Sequence, residues 1–135
     1  MFGHEKFKAY QYAIEFVALS AQIIEDLPKG FGKLIDQFRR AAIAVPLNIA
    51  EGAGKRTISE RNYCYSIARG EAMECAAIVD VLVCLRLINT RQAENGKELL
   101  KNVVSILTTV CSKDVRLKTV DHDKDEVQDE GRDQG

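Results

Sequence analysis

The sequence predicts an all-α protein, an antiparallel up-down-up-down four-helix bundle followed by a disordered acidic C-terminal tail. Three observations carry that prediction. Apolar residues recur at alternating spacings of three and four through most of the chain, no alternating strand pattern occurs, and turn residues divide the chain into four long segments with short connections. At 135 residues and 15.1 kDa, with 46% hydrophobic residues, the chain is read as one domain over 1–118, with the tail at 119–135. A domain of this size buries roughly two thirds of its unfolded surface and needs neither disulfides nor metal to fold.

The first helix is expected over roughly 5–26, its apolar seam being Phe7, Tyr10, Ile14, Val17, Ala21 and Ile24, closed by Pro28 and Gly30. The second carries Phe31, Ile35, Phe38, Ala42, Val45, Ile49 and Gly52. That seam ignores Pro46, so the helix is read as continuous with a kink there. Gly52 and Gly54 end it, and Thr57-Ile58-Ser59-Glu60 supplies a capping box for the third. The third helix is the longest expected, at roughly 30 residues. Its seam is Tyr63, Ile67, Ala77, Val81, Leu85 and Ile88, widened by Cys64, Cys75, Ile78 and Leu82. Asn89 is expected to close it in a left-handed conformation and Thr90 to cap the fourth, which runs over about 91–114 with Leu99, Leu100, Val103, Ile106, Leu107 and Val110.

The net charge of −1 hides an asymmetry. Seven acids in 119–135 face only Lys124 and Arg132, a balance of −5, whereas the other 118 residues carry 17 basic and 13 acidic side chains, or +4. Val127 is the one aliphatic residue after Val120, so the tail has too little apolar surface to offset the entropy of ordering. It either solvates the protein or folds over a basic face and competes with an anionic partner. Cys64, Cys75, Cys84 and Cys111 lack zinc spacing and read as reduced core residues. With no apolar run of bilayer length and a polar start, the protein is expected to be soluble and cytoplasmic, without membrane contact.

The second helix carries more than a core seam. About 120° from it lies a polar stripe of Gln37, Arg40, Asn48 and Glu51, and a further side holds Ile43, Leu47 and Ala50. A bundle helix needs one apolar face, so the second either forms a protein interface, with copies of the same chain, or marks a helix more central than a bundle requires. The stripe reads as a structural network in which Arg40 pairs with Glu51 of a neighbouring chain or with Glu74 on the third helix. Ligand or nucleic-acid contact and catalysis are the competing readings, but no nucleophile or metal set lies nearby. Lys55, Arg56 and Arg61 gather at the turn after this helix, with Tyr65 between Arg61 and Arg69. The group either contacts phosphates and stacks on a base, or merely complements a helix terminus and solvent.

The run from Gln37 to Gly52, Gln-Phe-Arg-Arg-Ala-Ala-Ile-Ala-Val-Pro-Leu-Asn-Ile-Ala-Glu-Gly, resembles the signature of the bacterial four-helix bundle proteins named after intervening sequences in 23S ribosomal RNA genes. These are related in fold to the accessory variability determinant of diversity-generating retroelements. Ile67-Ala68-Arg69-Gly70, Glu74 and the opening Phe7-Lys8-Ala9-Tyr10 extend the resemblance to roughly residues 5–112. The family often has serine at the positions of Ala44, Leu47 and Glu71, and the loss of hydroxyls beside Asn48 favours an apolar interface at Leu47. The resemblance implies a closed homo-oligomeric ring, a pentamer in relatives, without established enzymatic activity. In the retroelement branch a basic ring works with a reverse transcriptase and nucleic acid.

Together these readings predict a non-enzymatic, homo-oligomeric scaffold that binds RNA or DNA, a partner enzyme such as a reverse transcriptase, or both. No cofactor and no metal are expected. The alternative is a protein–protein adaptor with no nucleic-acid role. An enzyme acting through Glu51, Glu74 and Arg40 would instead require a pocket with shifted carboxylate pKa values.

Overall fold

The computed structural model describes the backbone of residues 2–125 and side chains as far as residue 112. A short 3₁₀ turn, Gly3–Lys6, precedes α1 (Lys8–Glu25), α2 (Gly32–Ala53), α3 (Ile58–Cys84) and α4 (Thr90–Asp125), and no strand occurs among the described residues. Each helix packs on two others in the cyclic order α1, α2, α3, α4, with no packing across the diagonals among the described residues. The result is a four-helix bundle of square section.

Side-chain register fixes the directions. Gly52 lies against Cys64 and Tyr65 while Arg40 reaches Glu71 and Glu74, so numbers fall along α2 as they rise along α3. Arg69 bonds Thr108 and Lys97 pairs with Asp80, the same reversed order between α3 and α4. For α1 and α2, Phe16 meets Phe38 edge-on at 6.0 Å between ring centroids, and Phe7 rests on the Tyr65 ring beside Gly52. Neighbouring helices therefore run antiparallel.

The α2 seam is buried as expected through Phe38, Ala42, Val45, Ile49 and Gly52, and the helix runs unbroken through a buried Pro46. In α4, Leu100, Val103 and Leu107 reach the core. That helix extends past the expected end near residue 114 to Asp125; the acidic tail expected over 119–135 otherwise lies outside the described residues.

Two expected seams are corrected. In α1 the buried positions are Ala9, Ala13, Phe16, Ser20 and Ile23, one residue and hence about 100° from the predicted stripe. Of that stripe Ile24 is buried, whereas Ile14 and Ala21 are exposed. Alanine and serine give weak hydrophobic signals, yet they let α1 approach its neighbours while Phe16 and Ile23 fill the interior. In α3 the residues taken as widening the face, Cys64, Cys75, Ile78 and Leu82, are the core, together with Tyr65, Ala68, Ala72 and Val79. Tyr63, Ala77, Val81 and Leu85 are exposed. Again the true face is built from small residues.

The helix ends also differ. Thr57 Oγ1 accepts the Glu60 N–H at 3.1 Å, the Thr57 half of the expected capping box. At the end of α3 the left-handed residue is Arg86 (φ 59°), not Asn89. The N–H groups of Leu87 and Arg86 close on the carbonyls of Leu82 and Val83, each at 2.9 Å, which satisfies acceptors that the helix would otherwise leave open. Asn89 instead caps α4: its Oδ1 accepts the Gln92 N–H at 2.8 Å, while Gln92 Oε1 accepts the Asn89 N–H at 3.3 Å. Among the cysteines Cys64 and Cys75 are core residues, but Cys84 is exposed.

Gly52 lets α2 touch α3. A Cβ there would stand 2.7 Å from Tyr65 Cε1 and 3.0 Å from Cys64 Cβ. Because the Tyr65 ring is buried and held by Phe7, it has little room to yield. Gly52→Ala is expected to cost about 1–3 kcal/mol through overpacking, read as a lower urea midpoint at unchanged helical content.

Candidate functional site

Four turns of α2 place chemically distinct residues on its three outer sides. Toward α3, Arg40 crosses the helix–helix groove and divides its guanidinium between two carboxylates. Nη1 lies 3.1 Å from Glu71 Oε2, and Nη2 lies 2.8 Å from both oxygens of Glu74. Gln37 Nε2 donates to Glu74 as well. Gln37 and Arg40 are one turn apart on α2, as Glu71 and Glu74 are on α3, so antiparallel packing brings the pairs face to face.

Of the predicted polar network, the structure gathers Gln37, Arg40 and Glu74. Asn48 turns back to donate to the Ala44 carbonyl at 2.8 Å, and Glu51 pairs at 3.7 Å with Lys55 in the turn after α2. Arg40 is thus engaged within its own chain. Glu71 is the member that sequence reasoning missed, because its place beside Arg40 depends on the α2–α3 register.

Electrostatics follow from this geometry. The Arg40 guanidinium is held above its ordinary pKa by its bonds to Glu74 and then Glu71. Glu74 is held below the ordinary value of 4.5, chiefly by the Arg40 bond, against a smaller opposing effect of burial. Burial pushes the Cys75 thiol up to about 12, helped by the charges of Glu74 and Glu71. At neutral pH Cys75 is therefore a protonated core residue with little nucleophilic character. Among the described residues no group of three or more His, Cys, Asp or Glu side chains is placed to hold a metal ion.

On the outward side of α2, Ile43 is 48% and Leu47 62% exposed, with Ala50 half-buried. The α1–α2 register brings Ile14, 44% exposed, level with Ile43, and the half-buried Tyr10 level with Leu47. The stripe first read as the α1 core thus adjoins the second apolar side of α2. One aliphatic patch spans both helices.

At the α2–α3 turn, Arg61 spends its guanidinium on the carbonyls of Lys55 and Arg56, each at 3.4 Å. Arg69 donates to Thr108 Oγ1 at 2.7 Å. Tyr65 is only 5% exposed, so the expected Arg61–Tyr65–Arg69 ridge does not form a stacking surface. Its ring points inward because position 65 shares the core face with Ala68 and Ala72. Lys55 and Arg56 remain at the surface, and Phe7 on Tyr65 brings Lys6 and Lys8 to the same end of the bundle.

The family model described as 23S rRNA-intervening sequence protein matches residues 5–109. The chain belongs to this family. The matched span contains the Arg40 clamp, the Ile14–Ile43–Leu47 patch and the basic turn, and it excludes the acidic tail. A search of curated proteins finds no match. No described helix is long and apolar enough to cross a membrane.

A pH dependence follows for the Arg40 clamp. Because the folded pKa of Glu74 is lowered, its contribution to stability is present above about 4.5 and is lost as the pH falls through the folded value. Solvent exposure keeps the effect small. The urea midpoint of the native chain should exceed that of Glu74→Gln at pH 7, and the gap should close in acid titration.

Proposed function

We propose that the chain is a non-enzymatic homo-oligomeric scaffold, with a ring as its assembly, that binds single-stranded RNA or DNA and presents it to a partner enzyme such as a reverse transcriptase. The observation that carries the assembly is the aliphatic patch of Ile14, Ile43 and Leu47. Burying a large aliphatic side chain is worth roughly 1.5–3 kcal/mol, so covering three that are about half exposed offers several kcal/mol per contact. Two helices contribute to the patch, which makes it a broad surface rather than a scatter of single residues.

The ring is also what the resemblance of the second-helix signature implies. Arg40, satisfied within its own chain, fixes the α2–α3 register and so the shape of the surface that a neighbour meets. The nucleic-acid half rests on the basic end of the bundle. Lys6, Lys8, Lys55 and Arg56 stand at that end, and repetition around a ring multiplies an otherwise modest charge. The absence of an activated nucleophile in the clamp favours a binding role over catalysis.

An adaptor without a nucleic-acid role is the second reading. It is favoured by Val81, Val83 and Leu85, exposed near the end of α3 and far from the basic turn.

Leu47→Glu puts a charge into the patch and should lower the mass measured by light scattering at micromolar concentration, with helical content unchanged. Ile43→Glu should do the same. Retention of the native mass by both variants would overturn the interface.

A further inference from the structure

An open groove of about 380 Å³ lies between the last turns of α2 and the first turns of α3. Asn48 and Glu51 line it from α2 and Lys55 from the turn that follows, with Ser59, Glu60 and Tyr63 on α3. It sits beside the basic turn. It adjoins the aliphatic patch along α2, where Leu47 lies one turn before Glu51.

Three features define what fits. Tyr63 is 70% exposed, a large aromatic face with nothing stacked on it among the described ring pairs. Its two-residue offset from the buried Tyr65 is about 200° around the helix, which turns the ring out where Tyr65 turns in. The groove is rich in acceptors. Glu51 and Glu60 are acceptor-only carboxylates, and Asn48, whose amide nitrogen is committed to the Ala44 carbonyl, offers its remaining oxygen. Cations stand at the groove edge: Lys55, held by Glu51 only at 3.7 Å, and the adjoining Arg56.

A flat ring carrying amino donors and attached to an anionic backbone answers all three. We propose that this groove takes one unpaired, amino-bearing base of a single-stranded nucleic acid, stacked on Tyr63. Its amino edge is bonded by Glu51, Glu60 or Asn48, and its phosphate is met by Lys55 and Arg56. Cytosine, adenine and guanine each bring an exocyclic amine. Uracil has no exocyclic amine, and its one donor, N3–H, is flanked by two carbonyls that would face the carboxylates, so it is disfavoured. A base in a duplex has its amino edge occupied by its partner, so the site selects unpaired strands. The assignment rests on the nucleic-acid half of the proposed function and locates it.

The test uses the full chain with short oligocytidylate and oligouridylate at low and moderate salt. Affinities of the native chain and its variants are read by gel shift, and in the native chain, which has no tryptophan, stacking on the exposed Tyr63 should also quench part of the tyrosine emission. Oligocytidylate is expected to bind more tightly than oligouridylate. Tyr63→Ala should weaken oligocytidylate binding on the order of tenfold and flatten that preference, while Tyr63→Phe keeps both. Because the side chain is exposed, both variants should keep native helical content. Equal affinity and base order in the native chain and Tyr63→Ala would overturn the groove while leaving nucleic-acid binding intact. A preference for oligouridylate would overturn the acceptor assignment. A native chain that shifts neither oligonucleotide at low salt would remove the nucleic-acid reading and this site with it.

Discussion

Helix α2 carries more apolar surface than one position in a four-helix square can hide. Phe38, Ala42, Val45 and Ile49 fill the interior, and Ile43 and Leu47 are left facing outward from the same helix. A helix surrounded on all sides would bury both sets. In this bundle α2 packs on α1, on α3 and on the short turn Gly3–Lys6, and these neighbours leave Ile43 and Leu47 exposed. The exposed aliphatic surface therefore follows from a square of four helices combined with this sequence, and the proposed assembly is the way to remove it from water.

The α2–α3 seam holds that surface in shape by two different means. At one end, the missing side chain of Gly52 lets the backbone sit against the Tyr65 ring, which fixes distance. Further along, Arg40 spans the gap to Glu71 and Glu74. Because these charges are partly exposed, they contribute more to register than to stability. Close contact and charge pairing together set where Leu47 stands relative to Tyr63. Leu47 of the aliphatic patch and Glu51 of the groove are one turn apart on α2, so the two surfaces adjoin along that helix.

What was legible in the sequence followed side-chain size. The α2 and α4 seams are marked by Phe38, Ile49, Leu100 and Leu107, residues whose hydrophobic signal dominates any window, and both were placed correctly. In α1 and α3 the buried faces rest on Ala9, Ala13, Ser20, Cys64, Ala68 and Ala72, which carry little signal. Both helices also bear a louder stripe outside, Ile14 on one and Tyr63 with Val81 on the other. Periodicity finds the larger residues, not the buried ones. The same error puts Tyr65 at the surface and Tyr63 in the core, the reverse of where they lie. In the clamp, Glu74 was identifiable as a partner for Arg40, but Glu71 required the antiparallel register to be known. The left-handed turn at Arg86 had no sequence mark at all, since arginine is not a residue that favours it.

The outward face of α2 is tested most directly by sedimentation equilibrium of the unmodified chain at micromolar concentration. A folded species at a fixed multiple of 15.1 kDa is the predicted result. A well-folded monomer across that range would contradict it, because Ile14, Ile43 and Leu47 would then be stable in water with nothing to cover them.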